Sequence, residues 1–205
     1  MLDPVTEVGN AAPAAATHGV PDLVLIERAR GADARAVEAL TRRYAQRLYR
    51  IARSLLGQQA AAESAVLEAY GAAFEELARH EPAGKFAVWL TRLALAQLQG
   101  RPAAARGGAQ PAGLARHPLE PAIDALPEPF RTVFVLRAVE GVSGTETAAA
   151  LGLNVTTVRT RLYRAHRRLG AGATAGAAHG VFELTAARLE RLVAEVLARQ
   201  RARSA

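Results

Sequence analysis

The sequence predicts an all-α protein: two small helical domains joined by a flexible linker, plus a C-terminal amphipathic helix. Three observations carry this. Apolar residues recur at three- and four-residue steps through successive segments, the period of a helix with one buried face. Stretches rich in Ala, Gly and Pro, without any period, separate those segments. Half of the 205 residues are hydrophobic, yet no apolar run approaches the roughly eighteen residues of a membrane span.

Residues 1–20 are read as a disordered leader. Asp22 is expected to cap a short first helix ending near Gly31. Asp33 caps a second helix, in which Val37, Leu40, Tyr44, Leu48, Ile51, Ala52 and Leu55 form one stripe until Gly57 stops it. Arg42, Arg43, Arg47, Arg50 and Arg53 line its other faces and read as solvated surface. A third helix runs from about Gln59 to Ala78, with Val66, Tyr70 and Phe74 inward. The fourth, from about Lys85 to Gln99, turns Phe86, Trp89 and Leu90 toward the same core. Residues 101–120 lack a period and form the linker.

Pro127 and Pro129 suit the first turn of a helix bearing Phe130, Val133, Phe134 and Leu136. Ser143 and Glu146 have capping-box spacing, so a short helix follows from Gly144 to about Leu151, and Gly152 supplies a left-handed turn. Asn154 then caps a helix whose Val155, Val158, Leu162, Ala165 and Leu169 face a core. Its other faces hold Thr156, Thr157, Arg159, Thr160, Arg161, Tyr163, Arg164, Arg167 and Arg168, with no acidic residue from Asn154 to Leu169. A merely solvated helix usually mixes signs. Helix, glycine turn and basic helix in that order make a helix-turn-helix, whose second helix enters the major groove of DNA. Arg forks suit guanine O6/N7 or phosphate, Thr suits backbone or a thymine methyl, and a helix N-terminus suits phosphate. The DNA-contact candidates are Asn154, Thr156, Thr157, Arg159, Thr160, Arg161, Arg164 and Arg168. The competing reading is a basic amphipathic helix in an ordinary bundle.

The block from Leu126 to Gly170 resembles region 4 of the sigma-70 family, in particular its extracytoplasmic-function (group 4) branch. The matching residues are Leu126-Pro127-Glu128, Val133 to Arg137, Glu140 to Ser143, Ala148, Leu151-Gly152, Val158-Arg159, Arg161-Leu162 and Arg164-Ala165. Gly144 departs from it, and so does Thr147, where the family usually buries Ile. The first helical domain resembles sigma region 2 through Leu25-Ile26, Tyr44, Leu48-Tyr49, Leu56-Gly57, Glu68-Ala69-Tyr70, Trp89-Leu90 and Arg92-Leu93-Ala94. Ser64 and Leu67 stand at positions that are usually polar or acidic, and Ala96 where Asn is common. The resemblance implies that residues 21–100 bind core RNA polymerase and the −10 promoter element, with Glu68 as polymerase contact and Trp89 and Arg92 near the melted strand. Residues 121–170 would read the −35 element of double-stranded promoter DNA. A dedicated anti-sigma factor is a further partner that it suggests.

The remaining composition narrows the function classes. No Cys is present, which excludes disulfides and thiolate chemistry. The five His are scattered without metal spacing, so neither a metal nor another cofactor is expected. No phosphate loop, nucleophile elbow or carboxylate pair suggests an enzyme. The formal charge is +7, and its excess near the C-terminal half implies a polyanionic partner. Without a secretory signal the product is expected in the cytoplasm. Residues 170–180 read as a second small-residue linker. Leu184, Leu189, Leu192, Val193, Val196 and Leu197 read as a final helix to about Arg199, packed back on the second domain or, alternatively, offered to an inhibitor or sensor. The leading function is a sigma factor. The alternatives are a stand-alone helix-turn-helix regulator and a sigma-like protein that has lost initiation activity.

Overall fold

A computed structural model of the chain describes residues 19–80, 82, 84–98, 117–170, 173 and 176–204. Most of the expected leader and first linker lies outside the described residues. No strand occurs among the described residues.

The first domain holds α1 (Asp22–Arg30), α2 (Ala34–Leu56), α3 (Gln59–Arg79) and α4 (Phe86–Leu98). Asp33 caps α2 as expected, its carboxylate accepting from the amides of Arg35 and Ala36 at 2.9 and 3.3 Å. Gly57, with φ of 76°, ends that helix in a conformation that a Cβ would strain. Asp22 does not cap α1; Pro21 precedes that helix, and Asp22 instead binds Arg43 and the Tyr44 hydroxyl, fastening α1 to α2. Leu40, Leu48, Val66, Tyr70, Leu77 and Leu90 are fully buried between the helices. The Tyr70 hydroxyl donates to the Thr41 carbonyl at 3.0 Å, so its burial leaves no unpaired polar group.

The second domain opens with a five-residue helix that the sequence reading did not include, α5 (Glu120–Asp124), which tolerates Pro121 in its first turn. Helix α6 (Glu128–Phe134) follows and widens into a π-helical turn over Val135–Val139, closed by a bond from the Glu140 amide to the Val135 carbonyl at 2.9 Å. Then come α7 (Gly144–Leu151) and α8 (Val155–Leu169).

Two expectations are corrected by what joins these domains. The arginines of α2 are not simply solvated. Arg47 and Arg50 bond the Glu140 carboxylate at 3.4 and 2.7 Å. Arg53, only 1% exposed, reaches Asp124 at 3.4 Å and Glu120 at 4.0 Å. An arginine serves here because its apolar stem packs while its planar fork meets carboxylates.

The second correction concerns the C-terminal segment. Ala173 and Ala178 within the expected spacer are buried, as are Val181, Phe182 and Leu184 just beyond it, so the segment leading to the last helix is anchored as a strap. Phe182 adopts a left-handed φ of 48°, with its amide donating to Glu120 at 3.1 Å, its carbonyl accepting from Gln46 at 3.0 Å and its ring 4.8 Å from the Arg53 guanidinium carbon. Helix α9 (Ala186–Ser204) then packs on α2 and α3, in the first domain rather than the second. Leu192, Val193 and Val196 supply its buried stripe. Arg188 bonds Gln59 at 2.6 Å and pairs with Glu63 at 3.4 Å, and Arg203 donates to the Gly71 carbonyl at 2.7 Å. Arg42 grips Glu190 with two bonds of 2.6 and 2.7 Å.

Candidate nucleic-acid interface

The interface is built from its caps. The Ser143 hydroxyl accepts from the Glu146 amide at 3.2 Å, and the Glu146 carboxylate accepts from the Ser143 amide at 3.3 Å, so both arms of the capping box exist. Lys85, from the start of α4, donates to the same carboxylate at 2.8 Å. The Lys85 ammonium first, and then the Ser143 hydroxyl, pull the Glu146 carboxyl down to about 2. Gly152 turns the chain at φ of 64°. Asn154 caps α8, its side-chain oxygen accepting from the Thr157 amide at 2.7 Å.

Helix α8 is anchored by few residues. Val158 and Ala165 are buried, the former beside Val133 and Ala148, and His166 sets its ring edge-on to Phe134 at 5.4 Å. Leu162 and Leu169 are half-buried. Val155, expected inward, is 47% exposed; it occupies the first position of the helix, before the turn that meets the core.

The opposite face is open. Thr156, Arg159, Thr160, Arg164, Arg167 and Arg168 are exposed, and Asn154 stands exposed at the N-terminus. No ion pair links Arg159, Arg164 or Arg167 to any described residue, whereas the arginines of α2 are largely committed to carboxylates. Arg168 lies 5.5 Å from the Phe130 ring centroid. Tyr163, 62% exposed, sits one turn beyond Arg159 and one before Arg167 and belongs to the same surface. Sequence reasoning placed Tyr163 on the outer face without naming it as a contact; an aromatic with a polar tip amid unpaired cations was the available signal. Two candidates sit apart from the open face. Thr157 is half-buried, its amide committed to the cap, and Arg161 is half-buried and turned toward the first domain.

Around Arg161 lies a cavity of about 560 Å³, between the domains, lined also by Arg92, Leu95, Ala96 and Glu128. Arg92 is exposed there. Trp89 is not: it is 5% exposed, packed on Phe86 at 5.4 Å, with its indole nitrogen donating to Glu76 at 3.4 Å. A ring so enclosed offers no face to an unpaired base, which corrects its candidacy beside the melted strand. Glu68 is exposed on α3 and accepts from the Ser64 hydroxyl at 3.3 Å. No cluster of three metal-ligating side chains occurs among the described residues, and no described helix is long and apolar enough to cross a membrane.

Comparison with known proteins agrees with this geometry. The family description "Sigma-70, region 4" matches residues 116–169. The chain is 31% identical, over 156 residues, to the ECF RNA polymerase sigma factor SigE of Mycolicibacterium smegmatis. That match covers 64% of this chain and 59% of the relative, so the chain spans about three fifths of the relative's length. Among solved structures, CnrH in complex with the cytosolic domain of CnrY aligns with a TM-score of 0.58 and 28% identity, covering 72% of this chain and 94% of that one. The helix-turn-helix of residues 116–169 is thus matched by sigma-70 region 4, and the chain as a whole is similar in sequence and helical fold to sigma factors of the extracytoplasmic-function type.

Proposed function

We propose that the chain is a promoter-specificity subunit of RNA polymerase, with α8 reading the −35 element and the first domain contacting core polymerase and the −10 element. The observation that carries this is the row of exposed arginines, Arg159, Arg164 and Arg167, without acidic partners among the described residues, on the outer face of a doubly capped helix-turn-helix. Cations left unpaired on a folded surface retain their full attraction for phosphate, and their release of counterions makes binding steeply salt-dependent. Thr156 and Thr160 share that face and have the reach to contact base edges or sugar. On this reading the protein performs no covalent chemistry; nucleotide transfer belongs to the polymerase.

The test is run-off transcription with core polymerase on promoter fragments, paired with binding isotherms at fixed salt. Cognate initiation is expected, and Arg159→Ala should weaken duplex binding by about 1–3 kcal/mol if Arg159 reads a base, or lower the salt slope by about one if it holds phosphate. A stand-alone regulator binds DNA yet starts no transcript. A sigma-like sequestering protein binds polymerase and opens no promoter.

A further inference from the structure

We propose that the C-terminal strap and α9 are an internal competitor for the face of the first domain that core polymerase uses, so that the chain as folded is held closed. This rests on the sigma-factor reading above. The contacts of α9 run along α3: Arg188 at Gln59 and Glu63, Arg203 at Gly71 and Glu75. Glu68, the candidate polymerase contact, lies within that span. At 1.5 Å of rise per residue it is about 8 Å along the axis from Glu63 and about 11 Å from Glu75. A stable protein interface covers about 800 Å² per partner, a disc roughly 16 Å in radius. A partner of that size centred on Glu68 overlaps α9, so the two occupy the face in turn.

The strap adds a second constraint. Phe182 and the arginines of α2 tie the second domain to the first, and the closed arrangement brings Arg92 and Arg161 to one cavity of about 560 Å³. Promoter elements centred about 25 base pairs apart are separated by about 85 Å of duplex at 3.4 Å per pair. A compact chain of 205 residues has a radius of gyration of about 17 Å. The closed form therefore reaches one element at a time, and engaging both requires the joint to open. Displacing α9 and opening the joint are coupled, because the strap that leads into α9 is bonded to both domains.

The competitor is tested by locking and loosening it in the full-length chain. The sequence has no Cys, so Arg42→Cys with Glu190→Cys gives two unique thiols for a short bismaleimide bridge carrying a reducible bond. The bridged protein is expected to bind core polymerase at least about tenfold more weakly than the same protein after reduction, and Arg188→Ala to bind severalfold more tightly than the parent, as an apparent affinity scales with its competent fraction. Circular dichroism confirms that each variant is folded, and binding of a −35 duplex, which needs only α8, should not change on bridging. Equal polymerase affinity for bridged and reduced protein overturns the proposal while leaving the sigma-factor reading intact. No polymerase binding by any form, Arg188→Ala included, removes both.

Discussion

Arg53 is the side chain whose loss should be felt most at the joint between the domains. It is 1% exposed, with Glu120 and Asp124 as carboxylate partners and Phe182 against its guanidinium. Truncation in Arg53→Ala leaves two acids facing a space from which their cation is gone, and Glu120 is itself only 10% exposed. Breaking a buried pair from one side costs about 3–5 kcal/mol. The packing of Phe182 is lost with it, but that contact overlaps the same cavity and is not added separately. For a chain of this size the loss corresponds to a fall in melting temperature of about 6–20 °C. Urea unfolding gives the free energy, and hydrogen exchange at the Phe182 amide, bonded to Glu120 at 3.1 Å, reports whether the strap loosens with it. Neutralising the site together, as Arg53→Met with Glu120→Gln and Asp124→Asn, should recover most of the loss because no charge is then stranded. A loss under about 1 kcal/mol in Arg53→Ala, with unchanged exchange at Phe182, would refute the view that this arginine holds the domains together.

Other expectations follow from single groups. Thr147 is fully buried and its hydroxyl has no hydrogen-bond partner among the described residues, so Thr147→Val should stabilise the fold by about 1–3 kcal/mol in chemical denaturation. Asn154→Ala removes the cap on the Thr157 amide; a loss of about 0.5–2 kcal/mol is expected, with weaker duplex binding at fixed salt. The Glu146 carboxyl is lowered from 4.5 to about 2 in the folded chain, chiefly by Lys85. Because the folded value is depressed, its stabilisation is complete above the unfolded value near 4.5 and drains away as pH falls toward 2. Unfolding curves of the parent and of Glu146→Gln should therefore converge between pH 5 and pH 2.5, and parallel curves would remove Glu146 from the titration.

What the sequence made legible was what short-range bonds decide. Asp33, Ser143 with Glu146, Gly152 and Asn154 each cap or stop a helix through contacts within a few residues, and all stand where their spacing placed them. The open basic face of α8 was legible for the same reason, since its sign bias is local. Helix α5 was missed because five residues cannot display a 3.6-residue period. The strap was missed because Ala173, Ala178 and Val181 bury little area each and carry no pattern, although together they fill a joint. The α9 stripe announced that a helix packs, but a stripe of Leu and Val does not say on which apolar face. The arginines of α2 were the hardest: a cation on a helix reads as solvated until the carboxylate that meets it, Glu140 or Asp124, is brought from some seventy to ninety positions away.

The positions at which the first domain departs from region 2 can be placed against these contacts. Leu67 lies one turn from Glu63 and one from Gly71, both touched by α9, and is half-buried against the core. A polar side chain there would be partly desolvated against that core and would cost about 1–3 kcal/mol unless it found a partner. A leucine instead gains about 25 cal/mol for each Å² it hides. Ala96 lines the cavity between Arg92 and Arg161, where a longer side chain would take up part of the space. Ser64 keeps its hydroxyl on Glu68 at 3.3 Å, so the exposed carboxylate retains a neighbour. Leu67 and Ser64 thus each have a neighbour within the first domain, and Ala96 borders the cavity. At Leu67 the consequence is direct: a leucine packed on the core gives an incoming polar contact nothing to bond.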